Sequence, residues 1–313
     1  MPAHDSPPAI AVRGLRKAFG RQTVLDDLDL VVGRGEVFAL LGPNGAGKTT
    51  TINILTTLVR PDAGSAAVAG FDVAREPDQV KRRIGLTGQG VAVDDVLTGT
   101  ENLVMLGRLS GLSRRAARAR AVEMLDRFDL ADAAGKRVGA YSGGMRRRLD
   151  LALSFVVTPE VLFLDEPTTG LDTRSRRELW DVIRSLAAAG TTVFLTTQYL
   201  EEADQLADRI AVLDAGGVVA TGTAAQLKAR VGGDTVELHD VHGDLLREVP
   251  TDGTVSDLRR ALDVLDESGA EGVVTLRRPS LDDVFLALTS PDAGRAGASA
   301  STTSPAPALE EIA

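Results

Sequence analysis

The sequence has 313 residues, of which 43% are hydrophobic and 25% are charged. This balance is typical of a soluble globular protein and excludes a fibrous or wholly disordered chain, and the length suits one large domain with a smaller one. The 35 Lys and Arg residues against 44 Asp and Glu residues give a net charge of -9, so we expect no nucleic-acid partner. Cysteine is absent, which excludes disulfides and thiolate chemistry and suits a reducing cytoplasm.

The first ten residues, MPAHDSPPAI, do not combine a basic start with an apolar stretch, so no signal peptide is expected. No apolar run in the sequence approaches the roughly 18 residues that a membrane span requires. We therefore expect a cytoplasmic chain that does not cross a membrane by itself.

Short β-branched runs alternate with longer helical segments from Ile10 onward, which predicts an α/β domain with a largely parallel sheet. Three nearly all-apolar runs, residues 37–41, 161–164 and 192–196, are predicted as buried strands. Each run leads into polar, glycine-containing or acidic residues. Because ligands of such sheets bind where the strands end, the pattern predicts a ligand site at that edge.

Residues 97–157 are rich in Ala, Leu and Arg, so we predict a helical subdomain there, within a first domain of residues 10–226. Ser113 is placed to cap one of its helices. Residues 227–289 mix strand and helix patterns, with capping patterns at Thr254 and Ser280, and are predicted as a small α+β accessory domain. Residues 290–313 are rich in Ala, Ser, Thr and Pro and are predicted to be a disordered tail.

A glycine-rich motif follows the strand 37–41 directly and has the full G-x-x-x-x-G-K-[ST] spacing. Its glycines let the backbone aim several amide groups at one point, and the start of a helix predicted over 50–58 adds positive potential there. The motif predicts an ATP site in which Lys48 neutralises the β- and γ-phosphates and the Thr49 hydroxyl binds Mg²⁺. The predicted ATP-binding residues of this loop are Gly42, Pro43, Asn44, Gly45, Ala46, Gly47, Lys48, Thr49 and Thr50.

Two carboxylates, Asp165 and Glu166, end the strand 161–164, where an α/β sheet would present them to a ligand. Asp165 is predicted to hold Mg²⁺, commonly through water, and Glu166 to polarise the attacking water as a general base. Together with Lys48 they predict hydrolysis of ATP.

The segment Tyr141-Ser-Gly-Gly-Met145 precedes the acidic strand and resembles the LSGGQ signature of ATP-binding cassette (ABC) ATPases. Other motifs of that class follow in order, with Phe19 in the place of the adenine-stacking aromatic residue, Gln89 in the place of the Q-loop glutamine and Asp172 in the D-loop. The resemblance covers residues 10–222 and implies the ABC-type nucleotide-binding domain of a P-loop NTPase. It also implies that Gln89 is a further Mg²⁺ ligand.

Longer segments, among them TTQYLEEADQLAD and PSLDDVFLALT, are similar to the daunorubicin/doxorubicin resistance family of exporter ATP-binding subunits. This resemblance implies ATP hydrolysis coupled to efflux of a drug or antibiotic through a separate integral-membrane permease, with the chain held peripherally at the cytoplasmic side of the membrane. It also implies a head-to-tail homodimer. Each ATP would lie between one chain's phosphate loop and the Ser142, Gly143 and Gly144 turn of the other.

Gln198 stands where most ABC ATPases carry a switch histidine. A glutamine amide can donate to a γ-phosphate oxygen, but it cannot carry positive charge or shuttle a proton. We therefore predict a catalytic role for Gln198 in contacting phosphate, without histidine-type proton transfer.

Two groups of arginines raise the question of an anionic partner, and at helical spacing we expect both on solvated helix faces. They are Arg114, Arg115, Arg118 and Arg120 in one group and Arg146, Arg147 and Arg148 in the other. Trp180 is expected in the core.

Two alternative functions stay open. An exporter ATPase for lipid, polysaccharide or peptide would share every catalytic residue. A soluble ABC-type ATPase that acts as a mechanical switch is disfavoured by the net charge of -9 and by the lack of a second cassette.

Overall fold

The computed structural model describes residues 7–88, 93–267 and 271–289. They form two compact units, and the boundary between the units falls between Leu227 and Lys228. The predicted tail, residues 290–313, lies outside the described residues, and the domain bounds given above stay predictions. Among the residues described, no helix combines the length and apolar character needed to span a bilayer.

The elements follow one another along the chain as β1 (Ile10–Phe19), β2 (Gln22–Val32), β3 (Val37–Leu41), α1 (Lys48–Leu55), β4 (Ala63–Val68), β5 (Phe71–Asp72), α2 (Pro77–Lys81), β6 (Ile84–Thr87), α3 (Gly99–Leu109), α4 (Arg114–Arg127), α5 (Gly143–Ser154), β7 (Val161–Asp165), α6 (Thr173–Ala188), β8 (Thr192–Thr197), α7 (Leu200–Leu206), β9 (Arg209–Asp214), β10 (Gly217–Gly222), α8 (Ala224–Lys228), β11 (Asp234–His239), β12 (Leu245–Thr251), α9 (Val255–Asp266), β13 (Val273–Arg277) and α10 (Leu281–Thr289).

The central sheet of the first unit has six strands in the order β10-β9-β3-β8-β7-β6. Neighbours from β9 to β6 are parallel, and β10 joins β9 as an antiparallel hairpin. The three strands predicted from apolar runs are β3, β7 and β8, and they lie side by side. Their carboxyl ends therefore meet at one edge of the sheet, which confirms the predicted α/β class.

Three phenylalanines form a ladder across these strands. Phe38 on β3 and Phe163 on β7 are both register partners of Phe194 on β8. The ring centroids of Phe38 and Phe194 are 5.7 Å apart, and those of Phe163 and Phe194 are 5.6 Å apart. All three side chains are fully buried, so the ladder connects the strands through the core beneath the site.

A second, antiparallel sheet of four strands, in the order β2-β1-β4-β5, was not predicted. Its long strands β1 and β2 pair along their whole length, but three register irregularities interrupt the pairing. These interruptions break the two-residue alternation by which a half-buried strand is recognised. The apolar side of this sheet, α1 and the ladder phenylalanines share one hydrophobic core.

Three helices, α3, α4 and α5, occupy the region predicted to be helical. Ser113 caps α4 as expected, since its side chain accepts a hydrogen bond from Ala116 N. The carboxyl end of α5 is bound by Arg120 of α4, whose Nη2 donates to Phe155 O at 2.7 Å and whose Nε donates to Val156 O at 3.2 Å. The expectation of a solvated Arg120 is therefore wrong, because the carbonyls that α5 leaves unpaired at its end require a donor.

The second unit contains a three-stranded antiparallel sheet in the order β12-β11-β13. Val236 and Leu238 of β11 pack with Ala261 and Leu265 of α9 to form its small core. The capping pattern predicted at Ser280 forms in both directions, since Asp283 N donates to Ser280 Oγ and Ser280 N donates to Asp283 Oδ2. A sheet with a helix packed on it agrees with the predicted α+β class of this region.

Candidate nucleotide site

The phosphate loop connects β3 to α1 by a tight turn that only glycine permits at two positions. Gly47 has φ 109°, and a Cβ added there would lie 2.6 Å from Leu25 Cδ2. A Cβ on Gly42 would collide with Leu213 O. α1 begins at Lys48, two residues earlier than the predicted range 50–58, because Gly47 is itself the cap of the helix. The last residues of the motif therefore stand on the first turn of α1, where anions are bound favourably.

Lys48 is buried against this loop, with 5% of its surface exposed. Its Nζ donates to Gly42 O at 2.9 Å and to Pro43 O at 3.0 Å. The same ammonium lies 3.4 Å from Glu166 Oε1. The structure thus brings the predicted phosphate-binding lysine and the predicted general base into one ion pair at the loop.

Asp165 is the last residue of β7 and is 4% exposed. Its Oδ1 accepts a hydrogen bond from Thr196 Oγ1 at 2.6 Å and lies 3.3 Å from Thr49 Oγ1, which also donates to it. A carboxylate and a hydroxyl at this separation are hard oxygen donors of the kind that Mg²⁺ prefers. The donor chemistry predicted for a magnesium site is therefore assembled from two separate elements, β7 and α1.

Glu166 has a left-handed backbone, with φ 47°, which is uncommon for a residue with a side chain. Its N donates to Thr196 O at 3.1 Å. Such a conformation costs on the order of 1–3 kcal/mol and persists only when the surrounding structure enforces it. The turn directs the Glu166 side chain toward Lys48.

Gln198 follows the end of β8 directly and is half-buried. Because β8 lies between β3 and β7, Gln198 leaves the sheet between the phosphate loop and the acidic pair. Phe19 ends β1 and is 52% exposed, so its ring is accessible to a ligand. Gln89 lies outside the described residues, and its predicted roles stay predictions.

The signature turn forms the start of α5, where the Ser142 side chain accepts a hydrogen bond from Met145 N at 3.2 Å. Gly143 and Glu166 line one cavity of about 420 Å³. Gly144 packs closely on α6, since a Cβ added there would lie 2.6 Å from Ser175 Oγ. The turn is thus fixed against the start of α6 within one chain.

Asp172 caps α6 and accepts hydrogen bonds from Ser175 N at 2.9 Å and Ser175 Oγ at 3.0 Å. Both hydrogen bonds lower the pKa of Asp172 below its ordinary value, and the bond from the Ser175 backbone has the larger effect. Asp172 therefore stays ionised and holds the segment after the acidic pair in place.

Tyr141 stands at the leucine position of the signature and is buried. Its hydroxyl donates to Ala133 O at 2.8 Å, and a Cβ on Gly99 would collide with that hydroxyl. The larger aromatic side chain is accommodated because α3 begins with a glycine at this position.

Arg147 was expected on a solvated face, and this expectation is wrong. Only 7% of the residue is exposed, and its guanidinium donates to Pro167 O and Gly88 O, both at 2.8 Å. Burial lowers the pKa of Arg147, while the nearby charges of Asp150, Glu202 and Asp165 oppose this effect. The available signal was its spacing on α5, where Asp150 follows three residues later on the same buried stripe.

Glu202 was also missed. It is fully buried on α7, and its Oε1 accepts a hydrogen bond from Trp180 Nε1 at 3.2 Å. Trp180 is buried as predicted. The pattern of acidic residues at the start of α7 gave no sign that one of them faces the core.

A phosphate loop after β3, an acidic pair at the end of β7 and a Ser-Gly-Gly turn at a helix start define, on this fold, a P-loop ATPase of the ABC class. The family model described as ABC transporter matches residues 25–169. A solved structure of an ATP-binding subunit of an ABC transporter is similar with a TM-score of 0.63 and 29% identity, over 71% of this chain and 92% of that chain.

Two relatives match along nearly their whole length. A daunorubicin resistance ATP-binding protein of Streptomyces coeruleorubidus is 54% identical, over 91% of this chain and 96% of its own. A daunorubicin/doxorubicin resistance ATP-binding protein of Streptomyces peucetius is 51% identical, over 90% of this chain and 92% of its own. The chain belongs to the daunorubicin/doxorubicin resistance family of ABC transporter ATP-binding proteins. It is an ATP-binding, ATP-hydrolysing transporter subunit, which confirms the predicted class and activity.

Proposed function

We propose that this chain powers the efflux of a daunorubicin- or doxorubicin-like drug through a separate integral-membrane permease. The support is the likeness to two drug-resistance ATP-binding proteins, which extends over about nine-tenths of the chain and includes the accessory domain. Exporters of other cargo share these catalytic residues, so the cargo is selected outside the hydrolytic site.

The hydrolysis step is supported by the contacts around Lys48. When ATP is bound, the Lys48 ammonium would bind the β- and γ-phosphate oxygens, as the loop geometry favours. The Glu166 carboxylate, 3.4 Å from that ammonium, would then accept a proton from the attacking water. Thr49 and Asp165 would hold Mg²⁺, which neutralises charge that develops on the phosphates. Gln198 would donate its amide to the γ-phosphate and orient the reacting groups.

A homodimer is supported by the start of α5. The first amides of a helix have no acceptor within the helix and favour an anion. Ser142 is exposed, so the turn of Ser142, Gly143 and Gly144 is available to a second copy of the chain. In the proposed dimer this turn binds the γ-phosphate of ATP held by the partner's phosphate loop.

A docking groove for the permease is supported by the edge strand β6 and the helices beside it. Leu86, Met105, Leu106 and Leu153 line a mainly apolar cavity of about 240 Å³. Leu86 is 37% exposed and Met105 is 43% exposed, although both are large apolar residues. We propose that a short cytoplasmic segment of the permease occupies this groove and holds the chain peripherally at the membrane.

The catalytic proposal predicts that Glu166→Gln lowers the ATP hydrolysis rate by about 100-fold or more, since a general base contributes about 10²- to 10⁴-fold. The affinity for ATP should stay within about threefold, because the amide keeps the size of the side chain. The matched control is Glu178→Gln, which removes a surface ion pair with Arg174 on α6 and should hydrolyse at the parent rate. Parent-rate hydrolysis by Glu166→Gln would remove Glu166 from the mechanism.

The cargo is tested with the full chain co-expressed with a candidate integral-membrane permease. Daunorubicin should stimulate ATP hydrolysis in these membranes, and Glu166→Gln should abolish drug efflux from cells. Stimulation by a lipid, polysaccharide or peptide without any response to the drug would favour the alternative exporter function.

A further inference from the structure

Arg147 occupies a position that the hydrolysis chemistry described above does not use. It lies on the second turn of α5, and its side chain points into the protein rather than to solvent. Its Nε donates to Pro167 O at 2.8 Å, and its Nη2 donates to Asp165 O at 3.4 Å. Its Nη1 donates to Gly88 O at 2.8 Å and to Asp150 Oδ2 at 3.1 Å. All three nitrogens of the guanidinium are therefore used.

The acceptors show what this arginine holds. Asp165 and Pro167 are the residues immediately before and after Glu166, so one side chain binds the backbone on both sides of the proposed general base. Glu166 has the left-handed backbone that the surrounding structure must enforce. A planar guanidinium with donors in a fixed geometry is suited to lock two such carbonyls in place.

The third carbonyl that Arg147 binds, Gly88 O, belongs to another part of the site. Gly88 directly precedes Gln89, and it follows the edge strand β6. Arg147 itself is on the helix that begins with the signature turn. One side chain thus joins the signature helix, the turn of the general base and the end of β6.

We infer that Arg147 is a positioning residue for ATP hydrolysis, which makes the placement of the Glu166 carboxylate depend on the position of α5. The inference rests on the proposed role of Glu166 as general base. A shift of α5 would pull on the carbonyls that flank Glu166 and change the geometry of its carboxylate at Lys48. A contact made at the signature turn would therefore change the position of the Glu166 carboxylate in the same chain, through α5 and Arg147.

The first test is Arg147→Lys in the full chain, assayed in membranes that carry the permease. Lysine keeps the charge opposite Asp150, but its compact ammonium cannot reach three carbonyls in different directions. The kcat for ATP hydrolysis should fall by about 10- to 100-fold, because a small misplacement of a catalytic group has effects of this size. The KM for ATP should change by less than about threefold.

The matched control is Arg148→Lys on the same helix. Arg148 donates to Asp129 O and Asp129 Oδ2 and contacts neither flank of Glu166, so kcat and KM should stay near the parent values. A parent-like kcat in Arg147→Lys would overturn the inference. If Glu166→Gln has lost its hydrolysis in the same assay, that result leaves the proposed role of Glu166 as general base intact, whereas parent-rate hydrolysis by Glu166→Gln would overturn that role itself.

The double variant Arg147→Gln/Asp150→Asn distinguishes a role of Arg147 in fold stability from its role in positioning Glu166. It replaces the Arg147–Asp150 ion pair by two neutral amides, so neither position of this pair keeps a buried charge opposite a neutral partner. The melting temperature should be close to that of the parent, while kcat stays low because the carbonyl contacts are not restored. Recovery of the parent kcat in this variant would show that Arg147 serves only the stability of the fold.

The last measurement is a double-mutant cycle that combines Arg147→Lys with Glu166→Gln. The slow residual hydrolysis rate is measured from the release of labelled phosphate. If Arg147 acts through Glu166, adding Arg147→Lys to Glu166→Gln should lower the residual rate by less than about twofold. Multiplication of the two single effects would contradict the inference.

Discussion

Gln198 is the residue for which the sequence predicts a phosphate contact without histidine-type proton transfer. It leaves the sheet between the phosphate loop and the acidic pair, and its amide can donate to a phosphate oxygen without any titration. Gln198→Ala should lower kcat for ATP hydrolysis by about 10-fold or more, since a buried hydrogen bond to a charged group is lost, while ATP binding changes little. Steady-state kinetics and nucleotide titration measure the two effects separately.

Gln205→Ala is the control for that change, because Gln205 lies on α7 and is exposed. Its kinetics should match those of the parent. Equal loss in both variants would show that the effect is not specific to the amide of Gln198.

The motif residues could be predicted from the sequence because each motif is a short continuous segment. Gly42 to Thr49 and the acidic pair follow apolar runs directly, and the structure places Lys48, Glu166, Thr49 and Asp165 together. Arg147 could not be predicted in this way. The spacing to Asp150 is visible in the sequence, but the other acceptors of Arg147 are the carbonyls of residues 88, 165 and 167. These carbonyls belong to segments that are distant in sequence, so a local pattern does not predict the contacts.

Among the secondary-structure elements, α6, α7 and β8 are joined by the buried carboxyl of Glu202. Trp180 of α6 donates to it, and its other neighbours are Thr197 of β8 and Thr168. Burial raises the pKa of Glu202 above its ordinary value of 4.5, and the polar groups of Thr197, Thr168 and Trp180 close to the carboxyl oppose the rise. The folded chain therefore keeps a proton on Glu202 where the unfolded chain has released it.

This shift predicts a pH-dependent stability. The stabilisation from protonated Glu202 is complete below about pH 4.5, the unfolded-state value, and is lost as the pH rises toward the folded-state pKa. Glu202→Gln removes the titration, so the unfolding free energy of the parent should fall relative to that of the variant over the range from about pH 4.5 upward to the raised folded-state pKa. Urea unfolding across this range measures the difference.

The control for this prediction is Glu201→Gln, the neighbouring exposed residue, which pairs with Arg176 at 3.6 Å. Its stability difference from the parent should vary much less with pH. A constant difference between the parent and Glu202→Gln would show that Glu202 is ionised in the folded chain.

Elements were predicted best where they are buried on both faces. The strands β3, β7 and β8 match their predicted ranges to within one residue, because their apolar runs are continuous. The strands β1 and β2 were missed, since their irregular register hides the alternation. The order of the strands could not be predicted in any of the sheets, because it depends on contacts between residues far apart in sequence.

The proposed homodimer predicts that the molecular mass of the assembly depends on whether ATP or ADP is bound. Glu166→Gln should form a dimer with saturating Mg-ATP and remain a monomer with Mg-ADP, because only ATP supplies the γ-phosphate that the signature turn binds. Size-exclusion chromatography with light scattering measures the mass. A monomer with Mg-ATP, even beside the permease, would contradict the head-to-tail arrangement.

Two serine variants in the Glu166→Gln background control this experiment. Ser142 and Ser113 each accept one hydrogen bond of 3.2 Å as the cap of a helix, so replacing either with alanine costs about 1 kcal/mol of cap stability. Only Ser142→Ala should weaken the dimer. Equal weakening by Ser113→Ala would indicate that helix stability, not the signature turn, limits association.

The ladder of Phe38, Phe194 and Phe163 has a consequence for how motion is distributed in the first unit. Each aromatic contact adds about 0.5–1.5 kcal/mol beyond simple burial, and sliding one strand past another would break it. The three strands that end in the phosphate loop, the acidic turn and Gln198 are thereby held at a fixed relative height. We therefore expect the displacements of the transport cycle in the helices that surround this sheet. The strands β3, β8 and β7 should keep their positions relative to one another.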